Sequence, residues 1–276
     1  MQDPKPLTSE IFPSRSLGLF LALTFGLTWG IAGLFMLFPE RLVNIFGEIS
    51  VRNPLFILAV YSPGFAALFL VLKTSGLKGL GAFLRRLGQW RAPWYWWLIV
   101  VAGMPLIMFG GAFIKGSLSN AFAFSPWYQA LPALLLALLL GPIEELGWRG
   151  LALPLLQRRF PPLVAGLLLG LIWALWHLPA FLIGGTPQSA WAFGPYVGGV
   201  LAIAMLMTLM FNESGGSLLL PVLLHFQANN PLWPDAQPWD SLLLVVLALV
   251  LVVIKRRSLT TKTTGVLTIL RGEAAG

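Results

Sequence analysis

The chain has 276 residues, of which 57% are hydrophobic and 10% are charged, and its mean hydropathy is +0.82. Because soluble domains carry about 25% charged residues, this composition excludes a water-soluble globular fold and indicates a membrane protein. The net charge of +8 is concentrated in predicted loops and the C-terminal tail, which favours a topological role over a nucleic-acid partner. The absence of cysteine excludes a disulfide framework and a cysteine-based zinc site.

Apolar runs along the chain predict an all-α, polytopic membrane protein, a bundle of about eight transmembrane helices. Each run approaches the roughly 20 residues that a helix needs to cross the hydrocarbon core, although the last two are short. We treat residues 1–276 as a single transmembrane domain, within which residues 128–230 form a motif-bearing core. The predicted spans are Leu17–Phe38, Leu55–Leu72, Trp94–Ile114, Tyr128–Leu153, Leu163–Ile183, Pro195–Phe211, Ser217–Asn229 and Ser241–Ile254.

Basic residues favour the cytoplasmic side of a membrane, so their distribution predicts the orientation of the bundle. Eight spans put both termini on one side, and that side carries fourteen basic residues: Lys5, Arg15, Lys73, Lys78, Arg85, Arg86, Arg91, Arg158, Arg159, Lys255, Arg256, Arg257, Lys262 and Arg271. The opposite loops carry three, which are Arg41, Arg52 and Lys115. This asymmetry predicts a multi-pass protein of the plasma membrane with both termini in the cytoplasm.

Five ionisable residues and one asparagine lie inside predicted spans, where each ionisable group costs roughly 2.5–3.5 kcal/mol. They are Glu144, Glu145 and Arg149 in the fourth span, His177 in the fifth, and His225 with Asn229 in the seventh. Glu145 and Arg149 are four residues apart, which predicts an ion pair, whereas Glu144 is rotated by about 100° and is the freer carboxylate. The positions of these residues along their helices place them at similar depth, so we expect them to meet in one cavity.

This set of side chains has the parts needed to activate water against a carbonyl group. A glutamate can act as general base, a neutral histidine can relay a proton, and a second histidine with an asparagine can stabilise an oxyanion. No serine in these spans has a base beside it, which favours direct attack by water over a covalent intermediate. Glu144, His177, His225 and Asn229 could alternatively ligate a divalent metal such as zinc, although no H-E-x-x-H motif is present.

At these residues the sequence resembles the CAAX protease and bacteriocin-processing family of intramembrane endopeptidases, which includes the type II CAAX prenyl endopeptidases. The family pattern is E-E-x-x-x-R on one helix, F-x-x-x-H on the next, and H-x-x-x-N or H-x-x-x-D on a later one. Here the pattern reads Glu144-Glu145 with Arg149, Trp173 with His177, and His225 with Asn229. Trp173 stands where the family usually has phenylalanine, a departure that concerns the shape of the pocket.

The resemblance implies an endopeptidase whose cavity opens toward the cytoplasm and the membrane. Glu144 would activate the water with His177, while His225 and Asn229 would stabilise the oxyanion. Glu145 and Arg149 would support the site. The partners implied are membrane lipid and a peptide or protein substrate, which need not be prenylated, and no nucleic acid.

Two other functions are compatible with the sequence. The first is a non-catalytic membrane scaffold or bacteriocin-immunity-type protein that keeps the pocket for partner binding. The second is a proton-coupled transporter that uses Glu144 and the histidines as a relay. Turnover of a peptide, tight binding without turnover, and substrate-dependent proton flux would distinguish the three functions.

Overall fold

The fold is entirely helical over the part of the chain that the computed structural model describes, residues 12–120 and 124–270. No β-strand occurs in these residues, which agrees with the predicted fold class. In chain order the helices are α1 Arg15–Leu37, α2 Pro39–Phe46, α3 Pro54–Leu84, α4 Trp94–Lys115, α5 Trp127–Gln157, α6 Pro162–Leu182, α7 Phe193–Glu213, α8 Leu219–Ala228, α9 Trp239–Ile254 and α10 Arg256–Thr260.

Six of these helices are long and apolar enough to cross a membrane: α1, α3, α4, α5, α6 and α7. They correspond to the first six predicted spans, so the prediction of an integral, multi-pass membrane protein is confirmed. The seventh and eighth predicted spans form the shorter apolar helices α8, of 10 residues, and α9, of 16 residues. The predicted number of eight complete spans is therefore not confirmed.

Helix α7 forms the centre of the bundle and packs against α6 and α9. Its residues from Ala202 to Phe211 are all buried, whereas the other spanning helices expose more of their surface. Small residues let its neighbours approach closely. A methyl group on Gly170 of α6 would lie 2.9 Å from Cβ of Ala204, and one on Gly199 would lie 2.6 Å from Oγ of Ser241 on α9. Close backbone approach of this kind is the usual basis of helix packing within lipid.

Two helices are interrupted where they carry polar residues. The regular part of α5 ends at Leu139, a 3₁₀ turn covers Gly141–Ile143, and a π-helical turn covers Trp148–Ala152. Helix α6 is interrupted by a turn at His177, two residues before Pro179. Proline removes a backbone donor and clashes with the preceding turn of a helix, which accounts for the position of the second interruption.

The bundle has two distinct ends. We define the basic end by the loops 85–93, 158–161 and 214–218 together with the C-terminal segment 255–270. We define the far end by the segments 38–53, which includes α2, 183–192 and 230–238, together with Lys115 at the end of α4. Side-chain contacts join the parts of each end, for example Arg158 Nη1 with the Phe12 carbonyl at the basic end and Lys115 Nζ with Asp235 Oδ2, 2.7 Å apart, at the far end. Lys5 and Arg271, which were counted toward the basic end, lie outside the described residues.

Candidate active site

The two adjacent glutamates follow the interruption of α5 directly. The helix resumes at Glu144 after the Gly141–Ile143 turn, in which Pro142 cannot donate a backbone hydrogen bond. Both carboxylates are buried, with exposures of 3% for Glu144 and 0% for Glu145. Because successive side chains of a helix point in directions about 100° apart around its axis, the two glutamates have different neighbours.

Glu144 accepts hydrogen bonds from two tryptophan side chains. Its Oε2 atom lies 2.8 Å from Nε1 of Trp173 on α6 and 3.3 Å from Nε1 of Trp148, four residues along its own helix. Both donors are uncharged, and Glu144 makes no ion pair with any residue in the described part of the chain. Hydrogen bonds to a carboxylate fix its position, so the two indoles hold Glu144 in place without supplying a counter-charge.

Glu145 is part of a buried charged group. Nη1 of Arg149 lies 3.0 Å from its Oε1 atom and 2.9 Å from Oε2, which confirms the ion pair expected from their spacing. Oε1 also lies 2.7 Å from Nδ1 of His225 on α8. The guanidinium of Arg149 packs over the Trp173 ring, 4.5 Å from its centroid. Glu145 therefore links α5 to α8, and Arg149 links α5 to α6.

His177 occupies the turn that interrupts α6. Its Nδ1 atom lies 2.9 Å from the backbone carbonyl of Trp173, and a carbonyl oxygen can only accept, so Nδ1 carries a hydrogen. In the neutral ring Nε2 then keeps its lone pair. The ring is surrounded by aromatic side chains, with centroid distances of 4.6 Å to Trp176 and 5.6 Å to Tyr196. Its orientation is therefore fixed by packing and by one hydrogen bond.

His225 and Asn229 lie one turn apart at the C-terminal end of α8 and face the α5 interruption. A methyl group on Gly141 would lie 2.8 Å from Nε2 of His225 and 2.3 Å from Nδ2 of Asn229. Nε2 of His225 and Nδ2 of Asn229 therefore lie against the same glycine. His225 is 4% exposed, while Asn229 is exposed.

Trp173 contacts most of the predicted site residues. Besides donating to Glu144 and lying under Arg149, its ring is 5.7 Å from that of His177 and 5.3 Å from that of His225, centroid to centroid. In the sequence, Trp173 is a departure from the family pattern that concerns the shape of the pocket, and the motif does not predict its hydrogen bond to Glu144. The residue type itself carried the available signal, because a buried indole N–H needs an acceptor and phenylalanine has no such group.

A single cavity of about 750 Å³ brings the predicted site together. Its wall is mainly apolar and includes four of the six predicted residues: Glu144, His177, His225 and Asn229. Glu145 and Arg149 do not line it, and they lie behind the wall, in contact with Trp173 and His225. The structure thus brings all six residues into one connected cluster on three helices.

The cavity extends to the far end of the bundle. Its lining includes Ile49, Val51, Gln188 and Asp235 from far-end loops and no residue of the basic end as defined above. The C-terminal segment packs on the basic end, where the cavity has no lining residue. The cytoplasmic opening of the cavity and the cytoplasmic position of the termini stay predictions.

The arrangement of donors does not fit a metal site. No group of three or more His, Cys, Asp or Glu side chains able to hold a metal ion occurs in residues 12–120 and 124–270. The alternative zinc site at Glu144, His177, His225 and Asn229 therefore gains no support from the geometry, and we derive no step through a metal.

Comparison with known proteins gives matches over the region that carries these residues. Residues 125–230 match the sequence model of the family described as type II CAAX prenyl endopeptidase Rce1-like. A protein named CAAX prenyl protease 2, from the archaeon Methanococcus maripaludis, is 32% identical to this chain over 138 residues. That match covers 48% of this chain and 50% of the relative, so the chain spans about half the length of the curated relative that it matches. The resemblance predicted from the three motifs is thus confirmed: over residues 125–230 this chain is similar to the Rce1-like type II CAAX prenyl endopeptidases.

Proposed function

We propose that the protein is an intramembrane endopeptidase that hydrolyses peptide bonds by direct attack of water. The observation that carries this proposal is the shared cavity, in which a buried carboxylate, two imidazoles and a carboxamide from three helices meet around Trp173. The similarity to CAAX prenyl endopeptidases supports the same activity.

In this mechanism Glu144 is the general base. Its carboxylate takes a proton from a water molecule, and the hydroxide formed attacks the carbonyl carbon of the scissile peptide bond. Trp173 and Trp148 hold the carboxylate by hydrogen bonds to Oε2, which leaves Oε1 free to receive the proton. His177, with a lone pair on Nε2, helps to orient the water. When the C–N bond breaks, the proton passes from Glu144 to the leaving amine.

His225 and Asn229 would stabilise the negative charge that develops on the carbonyl oxygen. Asn229 can donate through Nδ2. Nδ1–H of His225 donates to the carboxylate of Glu145, so Nε2 can donate as well only when the imidazole is doubly protonated. Glu145 is in turn held by Arg149, at 2.9 Å. Glu145 and Arg149 would therefore act as positioning residues, through His225, and not on the substrate.

The test uses purified protein in detergent and a panel of membrane-anchored peptides. The Glu144→Gln variant should keep its fold and lose activity by a factor of about 10²–10⁴, the usual contribution of general base catalysis. The His177→Ala and His225→Ala variants should also be inactive. Glu213→Gln is the control, because Glu213 also accepts an indole hydrogen bond, from Trp96 at 3.0 Å, but lies at the basic end, where it pairs with Lys255 at 2.9 Å.

Full activity of the Glu144→Gln variant would exclude Glu144 as the base. If the wild-type protein cleaves none of the peptides but retains one of them tightly, the scaffold function is correct instead. Loss of activity in the Glu213→Gln control would mean that removing a partly buried carboxylate outside the site damages the fold, and the Glu144 result would then count against the proposal.

A further inference from the structure

A short piece of the C-terminal segment, residues 265–270, lies on the basic end and is held there through its backbone. We call it the tail. The N–H of Val266 donates to Oδ1 of Asn212, and the Val266 carbonyl oxygen accepts from Nε2 of Gln157, both at 2.9 Å. Gln157 and Asn212 also bond each other in both directions, at 3.0 and 2.7 Å, so their amide groups are fixed independently of the tail. Two side chains, on α5 and α7, thus bind both polar atoms of one backbone unit.

Two arginines hold carbonyl oxygens further along the tail. Nη1 of Arg86 lies 2.8 Å from the carbonyl oxygen of Ile269, and Nη2 of Arg158 lies 3.4 Å from that of Leu267. Arg86 is 3% exposed, makes no ion pair with any residue in the described part of the chain, and donates only to backbone carbonyls. A buried charge needs such partners, because it has lost its contact with water. The tail is therefore bound by groups that can recognise any peptide backbone.

Apolar contacts determine which side chains of the tail matter. Ile269 and Leu270 are buried, with exposures of 1% and 7%, whereas Leu267 and Thr268 are exposed. Cδ1 of Leu270 lies 3.6 Å from the position that a Cβ atom of Gly79 would take, so it packs against α3. None of the six residues of the tail is charged. The site thus fits an uncharged peptide that ends in two adjacent large aliphatic side chains.

One contact of the tail leads to the segment that bears the two glutamates. Nη1 of Arg86, which donates to the tail, also donates to the carbonyl oxygen of Gly150 at 3.1 Å. Pro154, four residues later in α5, has no N–H, so this carbonyl has no α-helical donor. Gly150 follows Arg149 directly and lies in the π-helical turn Trp148–Ala152. The tail and the turn that carries the ion-pair partner of the glutamates therefore share one nitrogen atom.

We propose that the basic end is a peptide-binding site, that the chain fills this site with its own tail, and that a free peptide of the same class can replace the tail. The class is an uncharged peptide that is bound through its backbone and through two adjacent aliphatic side chains. The filled site keeps the π-helical turn in place, so Arg86 acts as a positioning residue for the active site. The statement about activity rests on the proposed function, whereas the statement about binding does not.

The test removes the tail from the folded protein. A protease recognition sequence is inserted between Thr261 and Lys262, which are both exposed, and the chain is purified intact in detergent before it is cut. After the released fragment is washed out, the unfolding temperature should fall by about 10 °C. A free peptide with the sequence of residues 262–270 should raise it again by about 3–5 °C at about ten times its Kd. The uncut protein is the control, and the peptide should not change its unfolding temperature because the tail already fills the site.

Altered peptides test how the site recognises its ligand. A peptide with Leu267→Ala and Thr268→Ala should bind as well as the original, because both side chains are exposed. A peptide with Ile269→Asp and Leu270→Asp should not bind, because both side chains are buried. Methylation of the backbone nitrogen of Val266 removes the hydrogen bond to Asn212 and should raise Kd about fivefold, the usual effect of one hydrogen bond.

Three results would overturn the binding site. They are an unfolding temperature that the unaltered peptide does not raise, an equal rise with the peptide that carries Ile269→Asp and Leu270→Asp, and an equal rise in the uncut protein. If the cut protein unfolds during washing, the cut is made in the presence of each peptide. The unaltered peptide should then keep the protein folded, and failure to do so would count against the proposal in the same way.

Turnover of a cleaved peptide measures the link to the active site. A shift of about 1 Å in a catalytic group can cost about 10²-fold, and for this indirect contact we expect kcat to fall about tenfold after washing, with KM changed by less than about twofold. The free tail peptide should restore kcat, and recovery of the unfolding temperature without recovery of kcat would refute the role of Arg86. If the intact protein cleaves no peptide, the proposed function fails, while the unfolding temperatures still decide the binding site.

Discussion

At the scale of single residues, two adjacent glutamates have separate roles because their surroundings differ. Glu144 faces a cavity and is held by two uncharged indole donors, whereas Glu145 is fully buried between a guanidinium and an imidazole. A general base must be able to accept a proton, and a carboxylate that is engaged in an ion pair is poorly suited to that. The contacts therefore favour Glu144 as the catalytic group and Glu145 as the structural one.

This division predicts different effects for the same substitution at the two positions. The Glu145→Gln variant should lose stability, whereas the Glu144→Gln variant should lose activity. Glu145→Gln leaves the Arg149 guanidinium buried at 0% exposure without its counter-charge, which should destabilise the fold by about 3–5 kcal/mol. Thermal unfolding in detergent measures the loss, with Glu48→Gln as the control because Glu48 is exposed. Glu144→Gln should unfold close to the wild-type temperature.

A double variant separates the charge effect from a general loss of packing. Glu145→Gln combined with Arg149→Met removes both charges and should be more stable than Glu145→Gln alone, because no uncompensated charge remains. If the double variant is less stable than the single one, the guanidinium stabilises the fold through its contact with Trp173 and not through Glu145.

At the scale of helices, the site depends on two interruptions rather than on regular structure. The 3₁₀ turn Gly141–Ile143 turns the start of the glutamate-bearing segment toward α8, and the turn at His177 lets that side chain reach the cavity. Breaks in membrane helices survive where protein or water satisfies the freed backbone groups. Interruptions within the bundle are therefore a means of exposing backbone and polar side chains to a cavity.

The second prediction concerns Gly141, which lies in the first interruption. A Cβ atom there would lie 2.3 Å from Nδ2 of Asn229 and 2.8 Å from Nε2 of His225, so Gly141→Ala must displace both groups. A shift of about 1 Å in a catalytic group can reduce the rate about 10²-fold, and we expect kcat to fall by about that factor. Steady-state kinetics with a cleaved peptide measures kcat. The unfolding temperature of the variant should change little, because the ends of the two displaced side chains can move.

Gly30 provides the control for this substitution. It lies in α1, is exposed, and has no atom within 4 Å of the position that a Cβ would take. Gly30→Ala should therefore leave kcat and KM unchanged. An equally active Gly141→Ala variant would show that His225 and Asn229 tolerate displacement, which would argue against their role in stabilising an oxyanion.

At the scale of the whole molecule, the sequence predicted the first six helices and the partners within each motif. The length of an apolar run is enough to predict a transmembrane span. Two residues four apart lie on the same face of a helix, so the pairing of Glu145 with Arg149 could be predicted from their spacing alone. The interruption near Pro179 has a local cause as well, because proline cannot continue the backbone hydrogen bonding.

The contacts between helices could not be predicted in the same way. Lipid solvates apolar side chains as well as protein does, so buried and lipid-facing sides of a helix carry the same residue types. From the sequence, Trp173 could be expected to need a hydrogen-bond acceptor, but Glu144 could not be identified as that acceptor. The sequence also assigned Arg86 only a topological role, whereas its side chain is buried and joins three backbone segments. The position of the cavity is a property of the whole packing for the same reason.

The closed basic end leads to the last prediction, which concerns truncation after Thr261. The deletion removes the buried side chains of Ile269 and Leu270, worth roughly 1.5–3 kcal/mol each on burial, and takes away one of the carbonyl acceptors of Arg86. We expect a loss of about 3–6 kcal/mol, measured by thermal or denaturant unfolding in detergent. Thr263→Ala, at an exposed position of the same segment, should cost almost nothing.

Combined with thiol labelling, the truncation also tests whether the C-terminal segment seals the bundle. An Arg86→Cys substitution breaks the same contacts at their centre, and its thiol should react slowly in lysed cells while the segment is present, because position 86 is buried. The same thiol should react much faster after truncation. Similar rates in the two proteins would mean that water reaches the basic end past the segment, and the closure of that end would then have to come from the helices alone.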